Sequence, residues 1–178
     1  MIKANPHAGN SAIVTYTRRW FDPLNPRVED VNLNDIAHAL SLTNRYGGHV
    51  SRPYSVAQHS VLCSMVAPEH LKLEALLHDA AEAYLGDMPK PVKDMLPDFK
   101  AAEARLEAVI RQKFGLPGER HPDGIVEIDR RMLVTEAKHF GIEWWSWWDY
   151  EPYDIALPSW TWMQSKLMFL DTYAALVR

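Results

Sequence analysis

The sequence has little cysteine, no long apolar run and no excess of positive charge, and each absence excludes a class of protein. Its 178 residues include one cysteine, Cys63, which excludes an internal disulfide framework and suits a reducing cytosol. No apolar run reaches the roughly 18 residues that a membrane-spanning helix needs, and the polar N-terminus lacks the apolar core of a signal peptide. The formal net charge of −4 argues against retention on nucleic acid by counterion release. We therefore expect a cytoplasmic protein that binds neither a membrane nor a nucleic-acid polymer.

The apolar residues that are present recur with helical spacing over most of the chain. The length suits one domain with one core, and the spacing predicts helices over about 34–44, 55–67, 68–85, 99–114, 124–140 and 160–176. Residues 1–31 hold three prolines and a short β-branched run, which predicts an irregular arm with a strand or hairpin piece. We expect an all-α fold, a single domain in which an arm (1–31) packs on a bundle of about six helices (32–178).

Local signals set several of these boundaries. Ser55 and Gln58 form a Ser-x-x-Gln pattern that predicts a capping box at the start of the second helix. Asp98 is a candidate cap for the fourth helix. Two prolines flank Lys90, so we predict a stiff loop over residues 87–91.

Several polar residues fall on helix faces that should be buried. His59 lies on the apolar stripe of the second helix, and His78 and Glu82 share the inward face of the third, with Asp79 beside them. On the fifth helix Asp129 lies on or near the inward stripe. That stripe comprises Ile125, Asp129, Met132 and Glu136. A charge buried without a partner is costly, so such groups are usually paired or bound to metal.

Two interpretations of these residues stay open at this point. His59 alone, or Asp129 alone, is more often a satisfied core polar residue than a ligand. The adjacency of His78 and Asp79, with Glu82 one turn later, favours a site for a divalent zinc, cobalt, manganese or iron ion, because imidazole and carboxylate are its usual ligands. The other histidines are weaker candidates; among them His121 lies in a turn, where we expect solvent exposure.

Taken together, these motifs resemble the H…HD…D pattern of the HD-domain phosphohydrolases, which are all-helical, metal-dependent enzymes. The likeness is greatest to small bacterial 5′-deoxynucleotidases and phage-type dATP triphosphohydrolases. It covers about residues 45–130 and rests on RYGGH (45–49), YSVAQHS (54–60), LHDAAE (77–82), GDMPKPVK (86–93) and ID (128–129). If a phage encodes the chain, we expect the protein in the cytosol of the bacterial host.

The resemblance implies a role for each matching position. The metal ligands would be His59, His78, Asp79 and Asp129. Glu82 matches a carboxylate next to the attacking water, and Asp87 a second acidic residue implicated in that step. Because the histidines that hold a second metal in some relatives have no match, we expect one divalent ion, zinc, cobalt, manganese or magnesium, with a transition metal favoured.

The same region holds candidates for binding the substrate. Arg45 matches an arginine that contacts phosphate, and Tyr46 stands where relatives usually have tryptophan. Lys90 and Lys93 could hold phosphate oxygens or be solvated surface charges, and His49 is a further possible contact. These residues imply a free deoxynucleotide as the binding partner.

The expected function is metal-dependent hydrolysis of deoxynucleotides. We favour a dNTP triphosphohydrolase that releases deoxynucleoside and triphosphate, and the resemblance alone favours dATP. The arm, with Arg18, Arg19 and Trp20, adds cationic and aromatic surface to that of Arg45 and the loop at 90–93, which suits a triphosphate tail or base selection. The alternative is a 5′-deoxynucleotidase acting on dNMPs, and a third possibility is a nucleotide-binding module without activity.

The cluster at 144–148, which contains four tryptophans, predicts a part of the core or of a subunit interface rather than a platform for a base. We therefore expect a homo-oligomer.

Overall fold

The structure, a computed structural model, describes residues 11–118, 121–143 and 149–178 and is built almost wholly of helices. The helices are α1 (Leu33–Leu42), α2 (Val56–Val66), α3 (Lys72–Leu77), α4 (Glu82–Leu85), α5 (Lys90–Lys93), α6 (Pro97–Phe114), α7 (Asp123–His139) and α8 (Trp162–Leu176). Short 3₁₀ turns lie at Arg45–Gly48 and Glu69–Leu71. Strands β1 (Ile13–Val14) and β2 (Trp20–Phe21) pair antiparallel. The predicted all-α fold is confirmed.

Helix α2 lies at the centre of the bundle, with α1, α3, α7 and α8 around it. Nine consecutive residues, from Val56 to Ser64, are buried, so this helix has no solvent-exposed face until its last turn. The sequence predicted a buried stripe on one face only. The Ser55 hydroxyl accepts a hydrogen bond from the Gln58 amide, as predicted, but the Gln58 side chain donates to the Pro158 carbonyl instead of closing a capping box.

The helix predicted over residues 68–85 is interrupted at the two site residues His78 and Asp79. Helix α3 ends at Leu77 and α4 begins at Glu82, with a turn between them. In this turn backbone amides donate to carbonyls three residues back, as Glu82 does to Asp79, and the His78 ring donates to the Ala75 carbonyl. The ring thus takes an acceptor that a regular helix gives to a backbone amide, and the tighter turn sets the direction of the next helix.

Other boundaries differ by a few residues. Helix α6 begins at Pro97, which suits the first helical position, and Asp98 lies inside its first turn rather than capping it. The loop predicted over residues 87–91 is shorter than expected, because residues 90 and 91 belong to the single helical turn α5. Helix α6 ends as predicted, at Gly115 with a φ of 67°, a left-handed conformation that glycine adopts without strain.

The part of the arm that the structure describes is tied to the bundle. Phe21, at the end of β2, is buried and stacks on Tyr84 of α4 with ring centroids 3.9 Å apart. Thr17 donates to Asp35 of α1 through both its amide and its hydroxyl. Within the described ranges, no helix is long and apolar enough to cross a membrane.

Candidate active site

Three parts of the bundle bring two histidines and two aspartates together. Helix α2 carries His59, the turn between α3 and α4 carries His78 and Asp79, and α7 carries Asp129. The Nε2 atoms of His59 and His78 face each other 3.3 Å apart. These are the four residues that the sequence predicted as metal ligands.

Both aspartates approach the two ring nitrogens. Asp79 Oδ2 lies 3.2 Å from His78 Nε2 and 3.5 Å from His59 Nε2. Asp129 Oδ1 lies 3.2 Å from His59 Nε2 and 3.8 Å from His78 Nε2. Two nitrogens bound to zinc at about 2.0–2.1 Å stand about 3.3 Å apart in a tetrahedral site, so the spacing suits ligands of one ion.

The outer nitrogen of each ring is held by an acceptor, which fixes where its proton sits. His59 Nδ1 lies 2.6 Å from a carboxylate oxygen of Glu136, and His78 Nδ1 lies 2.8 Å from the Ala75 carbonyl oxygen. Because neither oxygen can donate, both Nδ1 atoms carry the proton, and in the neutral rings both Nε2 lone pairs point at each other. Such an arrangement requires a cation or an extra proton between the rings.

The charges around the rings also favour a cation between them. Burial acts to lower the pKa of His78, but Asp79 and Asp129 outweigh it and raise that pKa well above the usual value. Burial acts to raise the pKa of Asp129, but its hydrogen bonds with His59 and His78 hold that pKa well below the usual range. The site therefore holds its carboxylates ionised and favours positive charge, which a divalent ion would supply on two neutral imidazoles.

Cys63 also lies beside the two histidines. One ligand atom each from His59, Cys63 and His78 lies within 4.8 Å of the others, a group that could hold a metal ion. However, Cys63 Sγ is almost equally far from the two ring nitrogens of His59, 3.5 Å from Nε2 and 3.8 Å from Nδ1. The sulfur thus lies alongside the ring rather than in front of its lone pair, and the two aspartates are better placed as partners.

Glu82 is buried beside these four residues. Its side chain lines the adjoining cavity, and no residue in the described ranges donates a hydrogen bond to its Oε2. Burial, with the negative charges of Asp79 and Asp87, raises the pKa of Glu82 well above its usual value. Burial also raises the pKa of Asp87, which is half-buried. Both predicted catalytic carboxylates thus lie within electrostatic reach of the site.

A cavity of about 180 Å³ opens next to the ligand set. Its walls include His78, Asp79, Glu82 and Asp129 together with Lys93, Glu103, Glu107 and His121.

Among the predicted substrate contacts, Lys93 donates to Glu103 at 2.6 Å. Lys90 is exposed and pairs with Asp94, and His49 is exposed; neither lines the cavity. Of the predicted lysine and histidine contacts, Lys93 alone is at this wall.

Arg45 and Tyr46 contact residues of the site but lie outside its cavity. Arg45 Nε donates to Glu136 at 3.1 Å, and a terminal nitrogen lies 3.5 Å from Asp79 Oδ2. Tyr46, at a φ of 57°, directs its hydroxyl to Glu136 at 3.0 Å. Neither side chain lines the cavity. Tyr46 thus does not stand as a stacking group over a substrate there.

Glu136 is the residue that sequence reasoning missed. It is fully buried and accepts hydrogen bonds from four side chains. The donors are His59, Tyr54, Tyr46 and Arg45. The sequence signal for Glu136 is its position on the apolar stripe of α7, seven residues after Asp129. That position alone does not assign it to the site.

His121 is less exposed to solvent than predicted. It is only partly exposed, lines the cavity, and its Nδ1 lies 3.1 Å from Glu74, a buried carboxylate that also binds Arg111. No sequence pattern indicates this contact, because Glu74 lies on α3, 47 residues earlier in the chain. The tryptophan cluster at 144–148 lies outside the described residues.

Comparisons with known proteins agree with this geometry. The family model for YfbR-like 5′-deoxynucleotidases matches residues 36–116, which include His59, His78, Asp79 and Glu82. The uncharacterised protein YfdR of Escherichia coli is 45% identical over 129 residues, 72% of this chain and 71% of that protein.

Two further relatives are more distant. An uncharacterised protein of Rhodobacter capsulatus is 38% identical over 109 residues, 56% of each chain. A protein of Vibrio atlanticus named 5′-deoxynucleotidase is 28% identical over 129 residues, 67% of this chain and 62% of that protein. The expected enzyme class, a phosphohydrolase, is confirmed at the level of the family, whose members are named 5′-deoxynucleotidases. The chain belongs to the YfbR-like 5′-deoxynucleotidase family of HD-domain proteins.

Proposed function

We propose that this protein is a metal-dependent 5′-deoxynucleotidase, which hydrolyses deoxynucleoside 5′-monophosphates to deoxynucleoside and phosphate. The observation that carries the proposal is the approach of the Nε2 atoms of His59 and His78 to 3.3 Å, with Asp79 and Asp129 beside them. Two neutral imidazoles and two carboxylates give a neutral centre with one divalent ion.

The ion would be held by His59, His78, Asp79 and Asp129. Nitrogen and carboxylate ligands together favour zinc, cobalt, manganese or iron over magnesium, which prefers oxygen ligands alone. When bound, a divalent ion offsets the negative charge of the phosphate and lowers the pKa of a bound water towards about 7.

Glu82 is the proton-exchanging group of the proposal. Its carboxyl lies at the cavity wall beside Asp79, and burial raises its pKa well above the usual value, which favours the protonated form. Hydrolysis places an oxygen of water on phosphorus and breaks the bond to the 5′ oxygen, which needs a proton as it leaves. Glu82 can exchange that proton with the water and the leaving oxygen. Asp87 supports it by keeping its environment negative.

Lys93 is the proposed contact for a phosphate oxygen. Burial acts to lower the pKa of Lys93, but its bond to Glu103 outweighs that effect and raises it, so the lysine stays charged at the cavity wall. Arg45 is proposed to act through Asp79 and Glu136, because both carboxylates already engage its guanidinium. Its positive charge also reaches the cavity electrostatically.

The sequence favoured a dNTP triphosphohydrolase, but the comparisons favour its alternative. The relatives that carry an activity name are called 5′-deoxynucleotidases. Of the residues that favour a triphosphate in the sequence, Lys93 lines the site cavity, whereas Arg18, Arg19 and Trp20 of the arm do not. Trp20 lies instead at a separate cavity of about 140 Å³, with Phe21 and Asp22.

Product analysis tests the proposal. Each dNMP, NMP and dNTP would be incubated with the protein and manganese, cobalt, zinc or magnesium, and the products separated and quantified. We expect one phosphate per deoxynucleoside from dNMPs. Tripolyphosphate from dNTPs would overturn the monophosphatase assignment, and nucleotide binding without turnover would overturn enzymatic function. His78→Ala serves as the metal-deficient control.

A further inference from the structure

Glu136 is the carboxylate most enclosed by the site, although it is not in the ligand set. It is fully buried. One carboxylate oxygen, Oε1, lies 2.6 Å from His59 Nδ1 and 2.8 Å from the Tyr54 hydroxyl. The other, Oε2, accepts from the Tyr46 hydroxyl at 3.0 Å and from Arg45 Nε at 3.1 Å. Four donors thus fix both oxygens, and the carboxylate has one orientation.

The two histidines of the site are held in different ways. His78 donates to the backbone carbonyl of Ala75, three residues earlier in the chain, so its orientation depends on the local fold. His59 donates to Glu136, which lies on another helix, 77 residues away. The position of His59 Nε2 therefore depends on a single side chain that α7 brings to α2.

We propose that Glu136 is a positioning residue for the metal centre, an inference that rests on the metal site proposed above. Its carboxylate holds the His59 proton on Nδ1, fixes the ring plane and increases the basicity of Nε2 towards the ion. Hydrogen bonds from Arg45 and the two tyrosines hold that carboxylate in place, and Glu136 itself contacts the ligand set through His59. Loss of such an outer carboxylate typically weakens metal affinity by 10–100-fold.

Glu136→Gln tests the inference by replacing the carboxylate with an amide of the same size. We expect the zinc dissociation constant, measured by competition with a chelator, to rise by about 10–100-fold. Glu74→Gln is the matched control, because Glu74 is an equally buried carboxylate that binds Arg111 and His121 and makes no contact with His59. Glu74→Gln should lower stability while zinc affinity stays within about twofold.

A measurement on the wild-type chain covers the case in which Glu136→Gln does not fold. In the zinc-loaded protein, nitrogen-15 NMR of the imidazoles should show His59 with a proton on Nδ1 that exchanges slowly with water. A His59 ring without that proton, or equal zinc affinity in Glu136→Gln and wild type, overturns the positioning role. A wild-type chain that binds no zinc, or a His78→Ala variant that binds it normally, instead overturns the proposed metal site.

Discussion

At the scale of single residues, the site depends on a difference between two carboxyl groups that are close in sequence. Asp79 is ionised because His78 and His59 together outweigh its burial and lower its pKa. Glu82, three residues later, has no such partner on Oε2, and burial raises its pKa. One carboxylate is thus suited to hold a cation and the other to carry a proton.

Glu82→Gln should retain the metal and lose turnover. The amide keeps the size and polarity of the side chain but cannot exchange a proton, so we expect kcat for dNMP hydrolysis to fall by about 10²–10⁴-fold. Metal content and the melting temperature should stay near wild type. Loss of the ion from this variant, with normal turnover in the fraction that still holds it, would reassign Glu82 as a ligand.

Glu107 gives a prediction about stability and pH. Burial and the neighbouring Glu103 raise the pKa of Glu107 from 4.5 to about 7 in the folded chain. A carboxyl with a raised folded-state pKa contributes stability that is present below its unfolded pKa and lost as pH rises through about 7. In metal-free protein, Glu107→Gln should therefore match wild type in urea midpoint near pH 5 and exceed it near pH 8. An equal difference at both pH values would contradict this assignment.

Residue patterns predicted the metal-ligand residues better than they predicted the residues around them. A histidine on an apolar stripe and an adjacent His-Asp pair are visible in one helix each, so His59, His78 and Asp79 could be proposed without the fold. Glu136 and His121 gain their environment from helices far away in sequence, since Glu136 meets Tyr54 and His121 meets Glu74 only after packing. Lys90 and Lys93, three residues apart, differ in the same way: only packing decides which one turns inward.

At the scale of elements, apolar spacing located most of the helices but not the interruption between α3 and α4. Leu76, Leu77, Ala80 and Ala81 are all buried, so the apolar pattern continues through the break and gives no warning of it. The turn arises because the His78 ring takes the Ala75 carbonyl. The interruption is therefore a consequence of the site residue itself.

Helix α8 offers a test of local stability that leaves the site untouched. Thr161 and Gln164 form a complete capping box at its start. Thr161→Ala should lower the free energy of unfolding by about 1 kcal/mol, and Thr161→Ser should retain most of it. Because α8 supplies none of the four ligand residues, the metal dissociation constant should be unchanged in both variants. A large loss of metal affinity in Thr161→Ala would mean that α8 takes part in the site.

At the scale of the whole molecule, the site joins helices that are far apart in the chain. The ligand residues come from α2, from the turn before α4 and from α7, so an ion there would connect three parts of the bundle. The predicted homo-oligomer remains a prediction.

Metal binding should therefore stabilise the fold. An ion at 100 times its dissociation constant adds about 2.7 kcal/mol to the free energy of unfolding, which for a chain of this size raises Tm by roughly 5–10 °C. We expect that rise in thermal unfolding of the wild type and its absence in Asp129→Ala. An equal rise in both proteins would place the stabilising ion elsewhere.

The central claim is that His59, His78, Asp79 and Asp129 hold one divalent ion. Anomalous diffraction from crystals of the zinc-loaded protein, recorded on both sides of the zinc absorption edge, tests it most directly. We expect one strong peak within about 2.0–2.3 Å of the two Nε2 atoms and of an oxygen from each aspartate. A strong peak bonded to Cys63 or to other residues, with none between His59 and His78, would contradict it.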